Sequence, residues 1–367
     1  LSAAALVGGK GDAQEVCGTL RPEFFYFLQP DREGMDQLLA NPPRVLYIDP
    51  IDGQNFKPEL ETLRKQHGTE VLYYVNLAAT EPRHGDVHTT YGIYPYPSEI
   101  FAEEQIAAYW EKDYQDAIKE RMRAIVASGL AGDGFIFDNI ATAADTLRNL
   151  SDEEYKTIRD KLPKLPSLET LATLKDSEYE IIKARLPEFP PKEAISNLSE
   201  EEYQALALKY SGLPPKETLY DVMQEMVRDL ADFARRELGA KKLASVNGPH
   251  LVDPAQVNYV VSESIYNPTA SWFTFDVKDI IGYTGKGGIA HTLEYVNPGQ
   301  ENRIAEIVHF AEGIGSKGVH FADEDKLLKG NSITNHFKIL ERYFTSRDQL
   351  ERIGTECVAK KSQGISR

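Results

Sequence analysis

The sequence predicts an α/β protein built on a (β/α)8 barrel that an all-helical segment interrupts, and three observations predict it. Eight short β-branched and aromatic runs alternate with helical patterns, as in a parallel sheet with crossover helices. Most of these runs begin apolar and end in Asp, Asn, Glu or Gln, which puts polar groups at the carboxyl ends of the strands, the face where such barrels keep their chemistry. Residues 150–218 leave this pattern and repeat every 24 residues. A doubly wound dinucleotide fold does not fit, because no GxGxxG follows the first run.

In chain order the predicted strands are Phe24 to Pro30, Arg44 to Asp52, Glu70 to Leu77, Gly134 to Ile140, Leu243 to Pro249, Tyr259 to Asn267, Gly288 to Val296 and Gly318 to Asp325. Helical periodicity marks Ile106 to Ser128, Leu219 to Leu238, Asn302 to Ile314 and Ile333 to Thr345. The expected organisation is therefore a TIM barrel whose first half is 21–149 and second half 219–346, with a three-repeat helical insertion after strand four, a terminal extension 1–20 and a tail 347–367.

The insertion aligns Leu150, Leu174 and Leu198, then Glu154, Glu178 and Glu202, Tyr155, Tyr179 and Tyr203, Pro166, Pro190 and Pro214, and Glu169, Glu193 and Glu217. Each unit reads as a capped acidic helix start, an amphipathic helix, a proline-marked turn and a short second helix. Three copies suffice for stacked repeats to support one another. The segment leaves the barrel at its chemical face, so a spacer, a substrate lid and a partner-docking arm are all open readings.

With 367 residues the chain has ample length for a full core. Hydrophobic residues at 41% and charged residues at 27% exclude global disorder, and no apolar run is long enough to span a bilayer. The net charge of −16 repels phosphate backbones and attracts cationic ligands, so nucleic acid is not expected as a partner. Cys17 and Cys357 are too few for a thiolate metal site; they can form one disulfide in an oxidising compartment or remain two thiols. The opening Leu1-Ser2-Ala3-Ala4-Ala5-Leu6-Val7-Gly8-Gly9 looks like the back half of a signal-peptide core, from which a secreted or cell-surface location is expected.

Two strand-end carboxylates stand out. Asp138 closes the apolar run Gly134-Phe135-Ile136-Phe137, and Glu263 lies within Val260-Val261-Ser262-Glu263-Ser264. A pair of carboxyl groups, one protonated and one ionised, is what glycosidic hydrolysis requires. Gln29, Asp49, Asp52, Asn76, Glu81, Arg83, Asn139, Asn247, Glu294, Asp323 and Asp325 crowd the same rim, a polar setting suited to a polyol. Tyr266, Trp272 and the stretch Tyr91-Gly92-Ile93-Tyr94-Pro95-Tyr96-Pro97 offer aromatic faces to a sugar or an amino sugar. His84-Gly85-Asp86-Val87-His88 sits on a predicted loop with no fixed face for a metal, and Gly285-Lys286-Gly287-Gly288 is too short for a phosphate loop, so neither a metal nor a cofactor is expected.

Gln29, Tyr47-Ile48-Asp49, Tyr73-Tyr74-Val75-Asn76 with Glu81 and Arg83, and Asp133-Gly134-Phe135-Ile136-Phe137-Asp138-Asn139 together resemble glycoside hydrolase family 114, the endo-α-1,4-polygalactosaminidases and related barrel hydrolases. The resemblance spans about residues 22–345 without the repeats. It implies a catalytic pair formed by the aspartate of the DGxxxDN pattern and a glutamate ending strand six, here Asp138 and Glu263. Where the family carries Gly-Glu after strand three, this chain reads Leu77-Ala78-Ala79. The expected function is exported endo-hydrolysis of an amino-sugar-containing, galactosaminan-like exopolysaccharide, whose cationic chains suit the acidic protein. The alternative is a catalytically silent, polysaccharide-binding or surface-assembly barrel that uses residues 150–218 to engage a protein partner.

Overall fold

The computed structural model describes residues 22–27, 30–80, 91–97, 103–130, 132–162, 167–185, 189–195, 197–203, 212–264, 266, 273–296, 299–300 and 303–322. The expected helix Ile333 to Thr345, Cys17 and Cys357 lie outside them. Among the described residues no helix is long and apolar enough to cross a membrane.

Eight strands form one sheet: β1 Phe24–Phe27, β2 Val45–Ile48, β3 Glu70–Asn76, β4 Gly134–Asp138, β5 Lys242–Val246, β6 Tyr259–Glu263, β7 Ile289–Tyr295 and β8 Ser316–Ala322. Their order in the sheet is their order in the chain. The β1–β2, β2–β3, β4–β5, β5–β6, β6–β7 and β7–β8 ladders are all parallel. At the seam between β8 and β1 the Tyr26 N–H donates to Nδ1 of the fully buried His320 at 3.1 Å, and the fold is a (β/α)8 TIM barrel. Each strand is shorter than its predicted run, and after β2, β4, β5 and β6 the polar residues Asp49, Asn139, Asn247 and Ser264 turn the chain out of the sheet.

The barrel is filled from alternate positions, as a two-residue period requires. Phe24 and Tyr26, Val45 and Tyr47, Leu72 and Tyr74, Ile136, Ala244 and Val246, Tyr259 and Val261, Leu293 and Ala322 make one buried cluster. Toward the amino ends His291 stacks between Phe24 and Tyr259, with ring centroids 4.4 and 5.4 Å away, and its Nδ1 meets the Tyr47 hydroxyl at 2.9 Å. The first aspartate of the DGxxxDN motif lies at this amino end. Asp133 takes a two-pronged contact from Arg64 at 2.9 and 2.8 Å and accepts the Val71 N–H, while its carbonyl accepts from Lys241 and Lys242. It therefore ties β4 to both neighbouring strands.

Between β1 and β2 lies the helix Arg32–Ala40, whose N-cap Asp31 accepts the Gly34 N–H. Lys57–His67 precedes β3 and ends at Gly68, left-handed at φ 62. The predicted helix from Ile106 is divided: Gln105–Ala107 pairs antiparallel with Gly92–Pro95, and the helix is Lys112–Ala127. Leu219–Arg236 precedes β5, and it buries Leu219, Met223, Met226, Leu230 and Ala234 on one stripe. Phe273–Gly285 and Ile304–Gly313 precede β7 and β8, and between β5 and β6 only the 3-10 turn Pro249–Leu251 occurs.

The chain divides into two compact units, one of residues 1–75, 122–138 and 231–367, the other of 76–121 and 139–230. Within the second, the repeats form the helices Asp152–Lys161, Leu168–Thr173, Asp176–Arg185 and Lys192–Ile195. Two of the three predicted caps are complete, with Ser151 and Glu154, and Ser199 and Glu202, exchanging backbone bonds in reciprocal boxes, while in the second repeat Lys175 replaces the serine and only its N–H bond to Glu178 forms. The repeats are not tied together in chain order. In the second repeat the Tyr179 hydroxyl donates to the Pro190 carbonyl and Lys192 pairs with Asp176 at 2.8 Å. The equivalent bonds of the first repeat go to the third: Tyr155 donates to the Pro214 carbonyl and Lys216 pairs with Asp152 at 2.8 Å. Leu171 of the first repeat shares a core with Tyr179, Phe189 and Ile195 of the second and Tyr203 of the third. The pairing is nested, with the outer copies closing around the middle one.

Candidate active site

Asp138 and Glu263 are the last residues of β4 and β6. Ile136 and Val261 belong to the cluster inside the barrel, so the residues two further along, Asp138 and Glu263, lie on the same inward side. Both are partly buried. β5 lies between their strands, so the two carboxyls share one sector at the carboxyl end of the barrel.

Among the described residues three other than glycine have positive φ, and each directly follows one of these three strands: Asn139 at 63, Asn247 at 55 and Ser264 at 51. Left-handed backbone at a non-glycine residue costs about 1 kcal/mol or more and collects where the surroundings hold a site in place. Here it turns the chain sharply out of the sheet just beyond Asp138, Val246 and Glu263. The amide of Asn247 is aimed at Glu263. Its Oδ1 accepts the Glu263 backbone N–H at 2.9 Å, and its Nδ2 donates to Glu263 Oε2 at 3.4 Å.

Burial first, and then the charge of Asp138, raise the Glu263 carboxyl from its ordinary 4.5 to about 8 against the opposing Asn247 amide. Two inward carboxyls that resist simultaneous ionisation titrate as a pair, and their repulsion favours the state in which one is protonated and the other ionised. That arrangement can give a proton to one substrate atom while an ionised carboxylate attends another.

The other sequence-derived residues have more local settings. Asp49 is buried and caps the turn after β2, accepting the N–H groups of Ile51 at 2.7 Å and Asp52 at 3.3 Å; Asp52 lies on that turn, partly exposed. Asn76 Oδ1 accepts from Ala78 and Ala79 at 3.3 and 2.9 Å, while its buried Nδ2 has no partner among the described residues. Asn139 Oδ1 accepts the Tyr96 hydroxyl. Glu294 alternates with the inward Leu293, so it faces the helix layer, where Oε1 accepts the Tyr266 N–H at 2.8 Å. Tyr266 packs against Phe310 at 5.2 Å and reaches Glu306 with its hydroxyl at 3.2 Å. Tyr91 packs edge-on against Tyr114 at 5.5 Å. Gln29, Glu81, Arg83, Trp272, Asp323, Asp325 and the stretch His84 to His88 lie outside the described residues.

The structure thus brings Asp138, Glu263 and Asn247 together and gives Asp49 and Glu294 backbone-capping bonds. Sequence reasoning placed Asn247 at the rim but missed its bond to Glu263. The dipeptide Asn247-Gly248 at a strand end was the available signal, since Asn and Gly are the residues that accept left-handed backbone most readily. No group of three or more His, Cys, Asp or Glu among the described residues is arranged to hold a metal.

Neither a family model nor a curated protein sequence matches the chain. Among solved structures it is similar to the glycoside hydrolase domain of PelA from Pseudomonas aeruginosa, at TM-score 0.50 and 11% identity, over 82% of this chain and 93% of that one. A point variant of that domain is similar at TM-score 0.47 and 10% identity, with the same coverage. At this identity the likeness is one of fold: the chain has the barrel architecture of a glycoside hydrolase domain.

Proposed function

We propose that the protein is an endo-acting glycoside hydrolase of family 114 type that cleaves an amino-sugar-containing polysaccharide, with Glu263 as general acid and Asp138 as nucleophile or base. The observation that carries this reading is the inward Asp138–Glu263 pair at the ends of β4 and β6, in which burial and the neighbouring Asp138 push the Glu263 carboxyl up. A glycosidic oxygen leaves as a hydroxyl when Glu263 donates its proton, and the Asp138 carboxylate attacks the anomeric carbon or deprotonates a water that does. The barrel shared with a glycoside hydrolase domain supports the reading. The net charge of −16 favours a cationic, partly deacetylated polymer. Such a polymer is too large to cross a membrane, so the enzyme would meet it outside the cell or at its surface.

The test is release of new reducing ends from partly de-N-acetylated galactosaminan by the wild type and by Asp138→Asn and Glu263→Gln. Each substitution keeps the shape and removes the acid function, and each should lower the rate by about 10²–10⁴-fold. Near-wild-type rates in either variant overturn the assignment. Binding of the polymer by the wild type without new reducing ends returns the reading of a silent polysaccharide-binding barrel.

A further inference from the structure

We infer that Asn247 is a positioning residue for Glu263, a role that rests on the hydrolase reading above and turns its amide toward the carboxyl instead of the substrate. The inference starts from the β5–β6 ladder. Val246 pairs with Val261, and the Asn247 N–H continues the ladder by donating to the Val261 carbonyl at 2.7 Å. In a regular parallel pair the next bond would run from the Glu263 N–H to the main-chain carbonyl of Asn247. At φ 55 that carbonyl is turned out of the ladder, and Oδ1 of the side chain takes its place at 2.9 Å.

This substitution fixes the amide's orientation. A backbone N–H is only a donor, so the atom facing it is the carbonyl oxygen of the amide, and the NH₂ must point the other way. The other way is Glu263 Oε2, at 3.4 Å. One side chain therefore holds both the backbone and the carboxyl of the same glutamate. Position 247 needs a residue that tolerates left-handed backbone, accepts at one end and donates at the other. Asn meets all three needs; Gly meets only the first, Asp the first two, and Gln lacks the short reach with which Asn settles in left-handed backbone. The donor stabilises the ionised form of Glu263 and so sets the pH at which its proton is released.

Two variants separate this role from a purely structural one. Asn247→Gly accepts the backbone angle but deletes the amide; Asn247→Asp keeps the shape and the acceptor but replaces the donor with a negative charge. The first readout is the Glu263 side-chain ¹³C carboxyl titration by NMR, and the second is the pH profile of polymer cleavage. In Asn247→Gly the Glu263 titration and the basic limb of kcat/KM should both move to higher pH, by about one unit for a lost bond to a charged group. In Asn247→Asp they should move further. A lowered unfolding midpoint with a titration within about 0.2 units of wild type overturns the inference. Because the titration is read without substrate, a protein that cleaves nothing still tests Asn247, and its silence counts only against the hydrolase reading.

Discussion

The barrel and the helical repeats solve the same problem, finding partners for apolar and polar groups, by opposite rules. In the barrel the order of strands in space is their order in the chain, so partners are neighbours in sequence. In the repeats one set of bonds, a tyrosine hydroxyl on a proline carbonyl and a lysine on a helix-start aspartate, occurs once inside the second copy and once between the first and third. Repetition therefore specifies which groups bond, and a departure from it, Leu168 where the other copies have Lys192 and Lys216, decides which copy supplies the lysine. Lys216 lies 64 residues from Asp152 where Lys192 lies 16 from Asp176, two doublings of loop length that cost about 1 kcal/mol of extra closure entropy. The outer pair is nonetheless held, because Lys216 Nζ also bonds the Leu150 carbonyl at 2.5 Å, where the insertion begins.

The two regions also respond to crowding differently, and glycine substitution gives the largest contrast. A Cβ on Gly134, at the start of β4, would stand 1.6 Å from the Lys242 carbonyl oxygen, and that neighbour is backbone in the paired strand. Gly134→Ala should cost more than about 4 kcal/mol and leave little folded protein. Gly212, in the repeat region, is left-handed at φ 73, but a Cβ there meets nothing closer than 3.4 Å. Gly212→Ala should cost only about 1–2 kcal/mol. Denaturant midpoints check both, and a Gly134→Ala protein with a wild-type midpoint would break the close-packed description of the β4–β5 pair.

Charge separates the regions next. Glu263 has its carboxyl raised by burial, then by Asp138, so the folded state binds a proton that the unfolded chain releases near 4.5. Its contribution to stability is whole below pH 4.5 and is lost as the pH rises toward 8. Glu263→Gln removes that loss, so its stability advantage over wild type should grow across this window, to the order of a few kcal/mol. The repeat carboxylates run the other way. Hydrogen bonds from Ser151 lower Glu154, and Lys216 and Lys192 lower Asp152 and Asp176, so their support is present at neutral pH and is lost on acidification. Thermal midpoints of wild type and Glu263→Gln between pH 4 and 9 show the first effect; parallel curves would mean that Glu263 is ionised like any surface acid.

The same contrast explains what the sequence made legible. Strand alternation and carboxyl-end polarity located all eight strands, Asp138 and Glu263, because both signals are local. The strands were overextended at their ends because a run such as Arg44 to Asp52 is apolar enough to read as one strand, while Asp49 caps a turn inside it. The bond from Asn247 to Glu263 joins residues 16 apart and depends on one backbone angle, which composition does not encode. His320 at the barrel seam is 294 residues from Tyr26 and belongs to no motif. Repeat periodicity was read from the chain, but nesting was not, although Leu168 stands where the other copies have Lys192 and Lys216 and so leaves Asp152 without a lysine at that position of its own repeat.

The smallest effect is the one that tests nesting. Tyr155→Phe and Tyr179→Phe each delete one hydroxyl and keep the ring, so each should cost about 1 kcal/mol. What distinguishes them is where the chain loosens. Tyr155 bonds the carbonyl of Pro214, so its loss should speed amide exchange in Asp152–Lys161 and in the Lys216–Thr218 turn while Asp176–Arg185 stays protected. Tyr179 bonds the Pro190 carbonyl, so its loss should loosen Asp176–Arg185 and Lys192–Ile195 and spare the outer pair. Repeats stacked in chain order would behave differently: removing the Tyr155 hydroxyl would expose the second helix of its own unit, Leu168–Thr173. Hydrogen exchange resolved by segment reads these alternatives directly, because local opening reports the bond that was cut even when global stability barely changes. Faster exchange at Leu168–Thr173 in Tyr155→Phe, with residues 216–218 unchanged, would replace the nested pairing with a linear one.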